Sequence, residues 1–185
     1  MADQVIIGID PGTIVMGYGI LGVIGGKPTL EAMGLLRLDR YQSHYLRLQK
    51  IQEAVEALIE RYAPTDMALE SPFMGKNIQT TLKLGRAQGA AMVAAMRSGI
   101  SVSEYAPSTI KKMITGRGSA SKGQVAAMLQ YMLKIPESAM MKKNDASDAV
   151  AVAMTHHLEA LRIQSGKKEK SWRDYIRNNP DKVIK

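Results

Sequence analysis

Residues Val5 to Ile9 are apolar without a break, and the run stops at Asp10-Pro11-Gly12. A short apolar run closed by turn residues reads as a buried strand ending in a tight turn. Ile14 to Val23 and Leu30 to Leu38 have the character of two further strands, and Gly25-Gly26-Lys27-Pro28 between them reads as a hairpin-type loop. Three sequential strands with short connections predict an antiparallel meander.

The period then becomes helical. Leu46, Leu48, Ile51, Val55, Leu58 and Ile59 recur at helical spacing, and Pro64 ends that helix. Asp66 to Leu69 is a short strand finishing at Glu70, where Ser71-Pro72 stops it. Asn77 to Ser98 is a long helix, small and apolar in its second half and closed by Gly99. Ile100 to Tyr105 is the next strand. Pro107 to Thr115, Ser121 to Leu133 and Ala146 to Leu161 are helices, the first begun by a proline whose missing N–H costs nothing there. The order β-β-β-α-β-α-β-α-α-α predicts one mixed α/β domain over residues 1–163, followed by a basic tail at 164–185.

A chain of 185 residues suits a single core, and its 45% apolar content is that of a globular protein. There is no cysteine, which excludes disulfides and thiolate zinc sites. No run approaches the roughly 18 apolar residues of a membrane span. The start, MADQVIIGID, lacks the basic segment of a signal peptide, so a soluble cytoplasmic protein is expected. The formal charge is +8, and seven Lys or Arg against three acids after residue 163 supply half of it. Such a balance suits a polyanionic partner, because neutralised phosphates release condensed counterions.

Asp10 and Glu70 end strands, where side chains face the crevice beyond a sheet edge. Asp145 and Asp148 are three apart at the start of the last helix and share a face. Singly, each has an ordinary reading: a turn aspartate, a solvated strand end, acids complementing a helix dipole. Jointly, they form a cluster that stays ionised only with cations to compensate it. Oxygen-only ligands favour Mg²⁺ or Mn²⁺ over zinc. Two such ions about 4 Å apart can activate water on one side of a phosphodiester and stabilise the leaving oxygen on the other.

Five ordered blocks carry a resemblance across about residues 4–160. They are Gly8-Ile9-Asp10-Pro11-Gly12-Thr13 with Gly17-Tyr18-Gly19; Leu69-Glu70-Ser71-Pro72-Phe73 with Lys76-Asn77; Leu82 to Gly89 (LKLGRAQG); Gly116 to Val125 (GRGSASKGQV); and Asn144 to Ala149 (NDASDA). In these the chain resembles the Holliday junction resolvase family RuvC. That resemblance implies a ribonuclease H-like mixed five-stranded sheet flanked by helices. It also implies a homodimer acting in DNA recombination and repair beside a branch-migration motor complex (RuvA and RuvB).

By position, Asp10, Glu70, Asp145 and Asp148 match the family's four catalytic, metal-binding acids, with two Mg²⁺ expected per site and Mn²⁺ able to substitute. Phe73 matches an aromatic that stacks on bases near the crossover, against the alternative of a core phenylalanine. Lys111 and Lys122 match basic positions near the scissile phosphate. Lys76, Asn77, Lys83 and Arg86, at the start of the long helix, are read as DNA contacts. A pre-ribosomal RNA processing nuclease also begins with a GIDPG strand, but the Phe73 loop and the GRGSASKGQV block favour the resolvase. An actin-like ATPase would need a second phosphate loop and about twice the length.

Overall fold

The structure is a computed structural model, and it describes residues 2–71, 77–136 and 146–164. Asp145, Phe73 and Lys76, and the tail beyond Gln164, lie outside the described residues. Strands β1 (Gln4–Asp10), β2 (Val15–Ile24) and β3 (Lys27–Arg37) form the expected antiparallel meander. Their hairpin loop is shorter than the four residues expected. Ile24 already pairs with Lys27, so Gly25-Gly26 alone makes the turn, at φ of 56° and 74°. Two successive left-handed residues are what a two-residue hairpin demands, and glycine takes that conformation freely. Lys27 and Pro28 therefore belong to β3, an edge strand, where a proline is tolerated.

Strand β4 (Asp66–Glu70) runs parallel to β1, and β5 (Ser101–Tyr105) runs parallel to β4, giving the sheet order β3-β2-β1-β4-β5. The C-terminal ends of β1, β4 and β5 thus lie along one edge.

Each face of the sheet has its own helical layer. Helices α1 (His44–Tyr62) and α2 (Ile78–Arg97) pack on each other and cover Ile7, Ile9, Met67 and Leu69. Ile51 and Val55, one turn apart, are the buried face of α1, while Ala87, Ala91, Ala94 and Ala95 serve α2. Helices α3 (Pro107–Thr115), α4 (Lys122–Leu133) and α5 (Ala146–Gln164) cover the other face, where Ile6 and Ala68 point. The break-free apolar run in β1 follows from this: alternate residues enter different cores, and both are dry.

Local signals set the helix ends. Asn77 caps α2 by accepting from the Thr80 amide at 3.2 Å, and Gly99 leaves it at φ of 73°. Ser121 and Gln124 form a reciprocal capping box on α4. Helix α5 continues to Gln164, three residues past the expected end at Leu161. Among the described residues no helix is long and apolar enough to cross a membrane.

Helix α5 lies unusually close to the sheet because two strand positions have no side chain. A Cβ at Gly8 would stand 2.1 Å from the Ala149 carbonyl oxygen and 2.8 Å from the Ala153 Cβ. One at Gly19 would stand 2.7 Å from Val150 Cγ2. Ala149, Val150 and Ala153 are buried, so neither side of this seat has room to yield. Gly8→Ala is expected to lower the unfolding free energy by about 2–3 kcal/mol, an overpacking cost. Gly123→Ala, whose added methyl meets only Ser121 Oγ at 4.0 Å, is expected to raise it by about 0.5–1 kcal/mol. Urea unfolding of the two variants beside the parent checks both signs.

Candidate active site

The parallel register sets the first pair of acids. Ile9 pairs with Leu69, so the residues that follow, Asp10 and Glu70, finish adjacent strands at the same edge. Both are half-buried. Asp148 stands in the first turn of α5, next to Ala149, the residue seated over Gly8. The close approach of helix to strand therefore delivers this third carboxylate to the strand ends.

Glu70, Asp148, Lys111 and Lys122 line one cleft of about 270 Å³, with Pro107, Ile110, Val125 and Ala151 as its walls. Lys111 comes from α3 and Lys122 from the first position of α4. Lys122 Nζ lies 2.6 Å from Asp148 Oδ2. Its side chain is 55% exposed, so this pair orients the carboxylate more than it stabilises the fold.

Burial raises the pKa of Glu70, and the negative charge of Asp148 raises it further; Lys111 and Lys122 pull the other way. In the cleft itself two lysines balance two acids, and Asp10, which ends the neighbouring strand, adds a third negative charge at the same sheet edge. The donors of these acids are all carboxylate oxygens, which match a hard divalent cation. Among the described residues no three acidic or histidine side chains close on a single point tightly enough to hold a metal ion. Asp145, the fourth expected ligand, falls outside them.

The other expected contacts stand apart from the cleft. Asn77 is exposed, with its side-chain oxygen engaged as the α2 cap. Lys83 and Arg86 are exposed on the first half of α2, beside His44 at the start of α1. The His44 pKa is lowered by burial first, and then by the charges of Arg86, Lys83 and Arg47. Sequence reasoning missed Arg47. Its Nε donates to the Tyr41 carbonyl at 2.7 Å and its Nη1 to the Thr13 carbonyl at 3.1 Å. It thereby ties the turn after Asp10 to helix α1. A partner 34 positions away leaves no periodic signal.

The family model described as "Crossover junction endodeoxyribonuclease RuvC" matches residues 6–156. Two curated relatives bear the same description. The one from Porphyromonas gingivalis is 48% identical over 184 residues, covering 98% of this chain and 97% of its own. The one from Bacteroides fragilis is 49% identical over 181 residues, covering 98% and 96%. Among solved structures, Thermus thermophilus RuvC superposes with a TM-score of 0.73 at 30% identity, over 85% of this chain and 95% of that one. T. thermophilus RuvC in complex with Holliday junction substrate gives 0.75 at 29% identity, over 85% and 94%. The mixed five-stranded sheet with helices on both faces is the ribonuclease H-like arrangement expected. Fold and sequence similarity agree: the chain belongs to the RuvC family of crossover junction endodeoxyribonucleases.

Proposed function

We propose that this chain is a structure-selective endonuclease that resolves Holliday junctions by paired, symmetric nicking of two opposed strands. The nicks leave ligatable 5′-phosphate and 3′-hydroxyl ends, in DNA recombination and repair. The observation that carries this reading is the meeting of Glu70, Asp148, Lys111 and Lys122 in one cleft at the strand ends, in a chain of this family.

Asp10, Glu70, Asp145 and Asp148 are the residues that would hold two Mg²⁺, or Mn²⁺ in their place. When bound, such ions supply Lewis-acid activation of the attacking water and charge compensation at the leaving oxygen. Glu70 and Asp148 line the cleft, and Asp10 ends the neighbouring strand at the same sheet edge. Lys122 steadies Asp148 and, with Lys111, places two ammonium groups where the non-bridging oxygens of the phosphodiester arrive. There they stabilise charge that develops in the transition state. Phe73 is assigned as the platform for an unstacked base at the crossover, worth about 1–3 kcal/mol. Lys76, Asn77, Lys83 and Arg86 are assigned to the DNA backbone on the α2 side.

A junction with near two-fold symmetry calls for two copies of one site, which a C₂ homodimer provides. The outer face of α2 is the surface we assign to that contact. Ile78, Leu82, Gly85, Gly89, Val93 and Met96 recur at spacings of three or four, the seam along which two helices pack. Val93 is 46% exposed and Met96 59%, and a Cβ at Gly85 or Gly89 would meet nothing within 4 Å. This seam holds a second copy of the chain at the close range its glycines permit. The resolvase works beside the branch-migration motor complex, in the cytoplasm.

Asp10→Asn and Asp148→Asn are each expected to slow junction cleavage by about 100- to 1000-fold while leaving gel-shift affinity for the junction within about threefold. An equal loss of binding would mark the acid as structural. Val93→Glu with Met96→Glu is expected to convert a dimer to a monomer in sedimentation equilibrium. An unchanged mass would move the interface off α2.

A further inference from the structure

Strand β4 has a carboxylate at each end, Asp66 and Glu70, and the pleat turns both to the face where Ala68 packs under α5. Asp148 and His156 of α5 address these two ends. Asp148 shares the cleft with Glu70, and His156 Nε2 lies 3.7 Å from Asp66 Oδ1. The two spans match: eight helical residues rise about 12 Å, and four strand residues about 13 Å. Helix and strand therefore run antiparallel, with a shared cleft at one end and a polar contact at the other.

The contact far from the cleft is the more completely built. Asp66 Oδ2 accepts from Gln4 Nε2 and Thr65 Oγ1, each at 2.8 Å, and Oδ1 accepts from Ser101 Oγ at 2.7 Å. These bonds outweigh the effect of burial and hold the Asp66 pKa below its ordinary value. On the other side of the imidazole, the Tyr105 hydroxyl lies 2.8 Å from His156 Nδ1. The two rings meet edge to face at 6.0 Å, and the His156 side chain is only 13% exposed. Tyr105 also reaches the active end of β4 through its backbone. It pairs with Glu70, and its carbonyl accepts the Ser71 amide at 2.9 Å. One residue thus joins the strand end that carries Glu70 to the helix that carries Asp148.

We propose that Tyr105 and His156 are positioning residues, and that the chain Asp66–His156–Tyr105 sets the axial register of α5 against β4 and so the separation of Asp148 from Glu70. The inference rests on the reading of those acids as cation ligands. The apolar seat at Gly8 and Gly19 fixes how close α5 comes, but apolar contact is non-directional and resists sliding only weakly. The hydrogen bond between Tyr105 and His156 has a preferred length and angle, and together with the longer 3.7 Å contact of His156 with Asp66 it supplies the missing coordinate. A cation site tolerates ligand errors of about 0.5 Å, a fraction of one residue's rise along the helix.

The test is Mn²⁺ binding to the full-length, DNA-free protein, read by the loss of free-ion electron paramagnetic resonance signal. The parent, Tyr105→Phe, His156→Gln and Asp148→Asn are compared. Tyr105→Phe removes only the hydroxyl and is expected to weaken Mn²⁺ about fivefold, less than the roughly 10–100-fold lost when a ligand's own partner is removed. His156→Gln is expected to weaken it by at least as much. Junction affinity in EDTA should stay unchanged, and high Mn²⁺ should restore the cleavage rate of Tyr105→Phe. A lower melting temperature with the parental Mn²⁺ midpoint in both variants would overturn the proposal, since a purely structural role moves the first and not the second. No Mn²⁺ binding by the parent, or binding that Asp148→Asn leaves intact, would overturn the acid-site reading and this inference together.

Discussion

The contact between helix α5 and strand β1 at Gly8 is the constraint on which the rest of the molecule depends. With the Ala149 carbonyl 2.1 Å from where a Cβ would stand, any side chain at Gly8 forces the helix outward. Asp148 would move with it, because it directly precedes the residue in contact. The same seat brings Val150, Ala151 and Ala153 into the core shared by β1, β2 and β4. Packing and site geometry are here one feature: the small residues that fill the core also determine how far a carboxylate on the helix stands from those on the strands.

The division of the sheet into two faces gives the two helical layers different work. Helices α1 and α2 cover one face with an aliphatic and alanine core, and Arg47 from that layer holds the turn after Asp10. Helices α3, α4 and α5 cover the other, and each sends one charged side chain into the cleft: Lys111, Lys122 and Asp148. Glu70 arrives from the sheet itself, in an environment where burial and a neighbouring carboxylate both disfavour its ionised form. Such an arrangement costs stability unless positive charge is supplied. The two lysines match the two acids of the cleft, while Asp10 at the neighbouring strand end adds a third negative charge.

Much of this was legible in the sequence because it is local. The turn at Asp10-Pro11-Gly12, the Pro107 start of α3 and the Gly99 exit from α2 announce element ends through backbone preferences of single residues. From such ends the placement of Asp10 and Glu70 at one sheet edge follows, once β1 and β4 are parallel neighbours. At Gly25-Gly26 the sequence suggests a loop two residues longer than the turn, because a proline in an edge strand looks like part of a loop. What could not be read is non-local. The reason for Gly8 is a helix more than 140 positions away, Arg47 answers a turn 34 positions back, and Tyr105 meets His156 across 51 positions. None of these leaves a period or a spacing in the chain. The motif blocks show that Gly8 and Thr13 belong to one pattern, while only the fold shows what each residue touches.

The central claim is tested most directly by incubating the purified protein with a 5′-labelled four-way junction and a linear duplex of the same sequence, with and without Mg²⁺. The products are resolved on a denaturing gel. The account predicts nicks at symmetric positions in two opposed strands of the junction, only with metal, and an uncut duplex. Cutting that is independent of metal, or equal on duplex and junction, would contradict it.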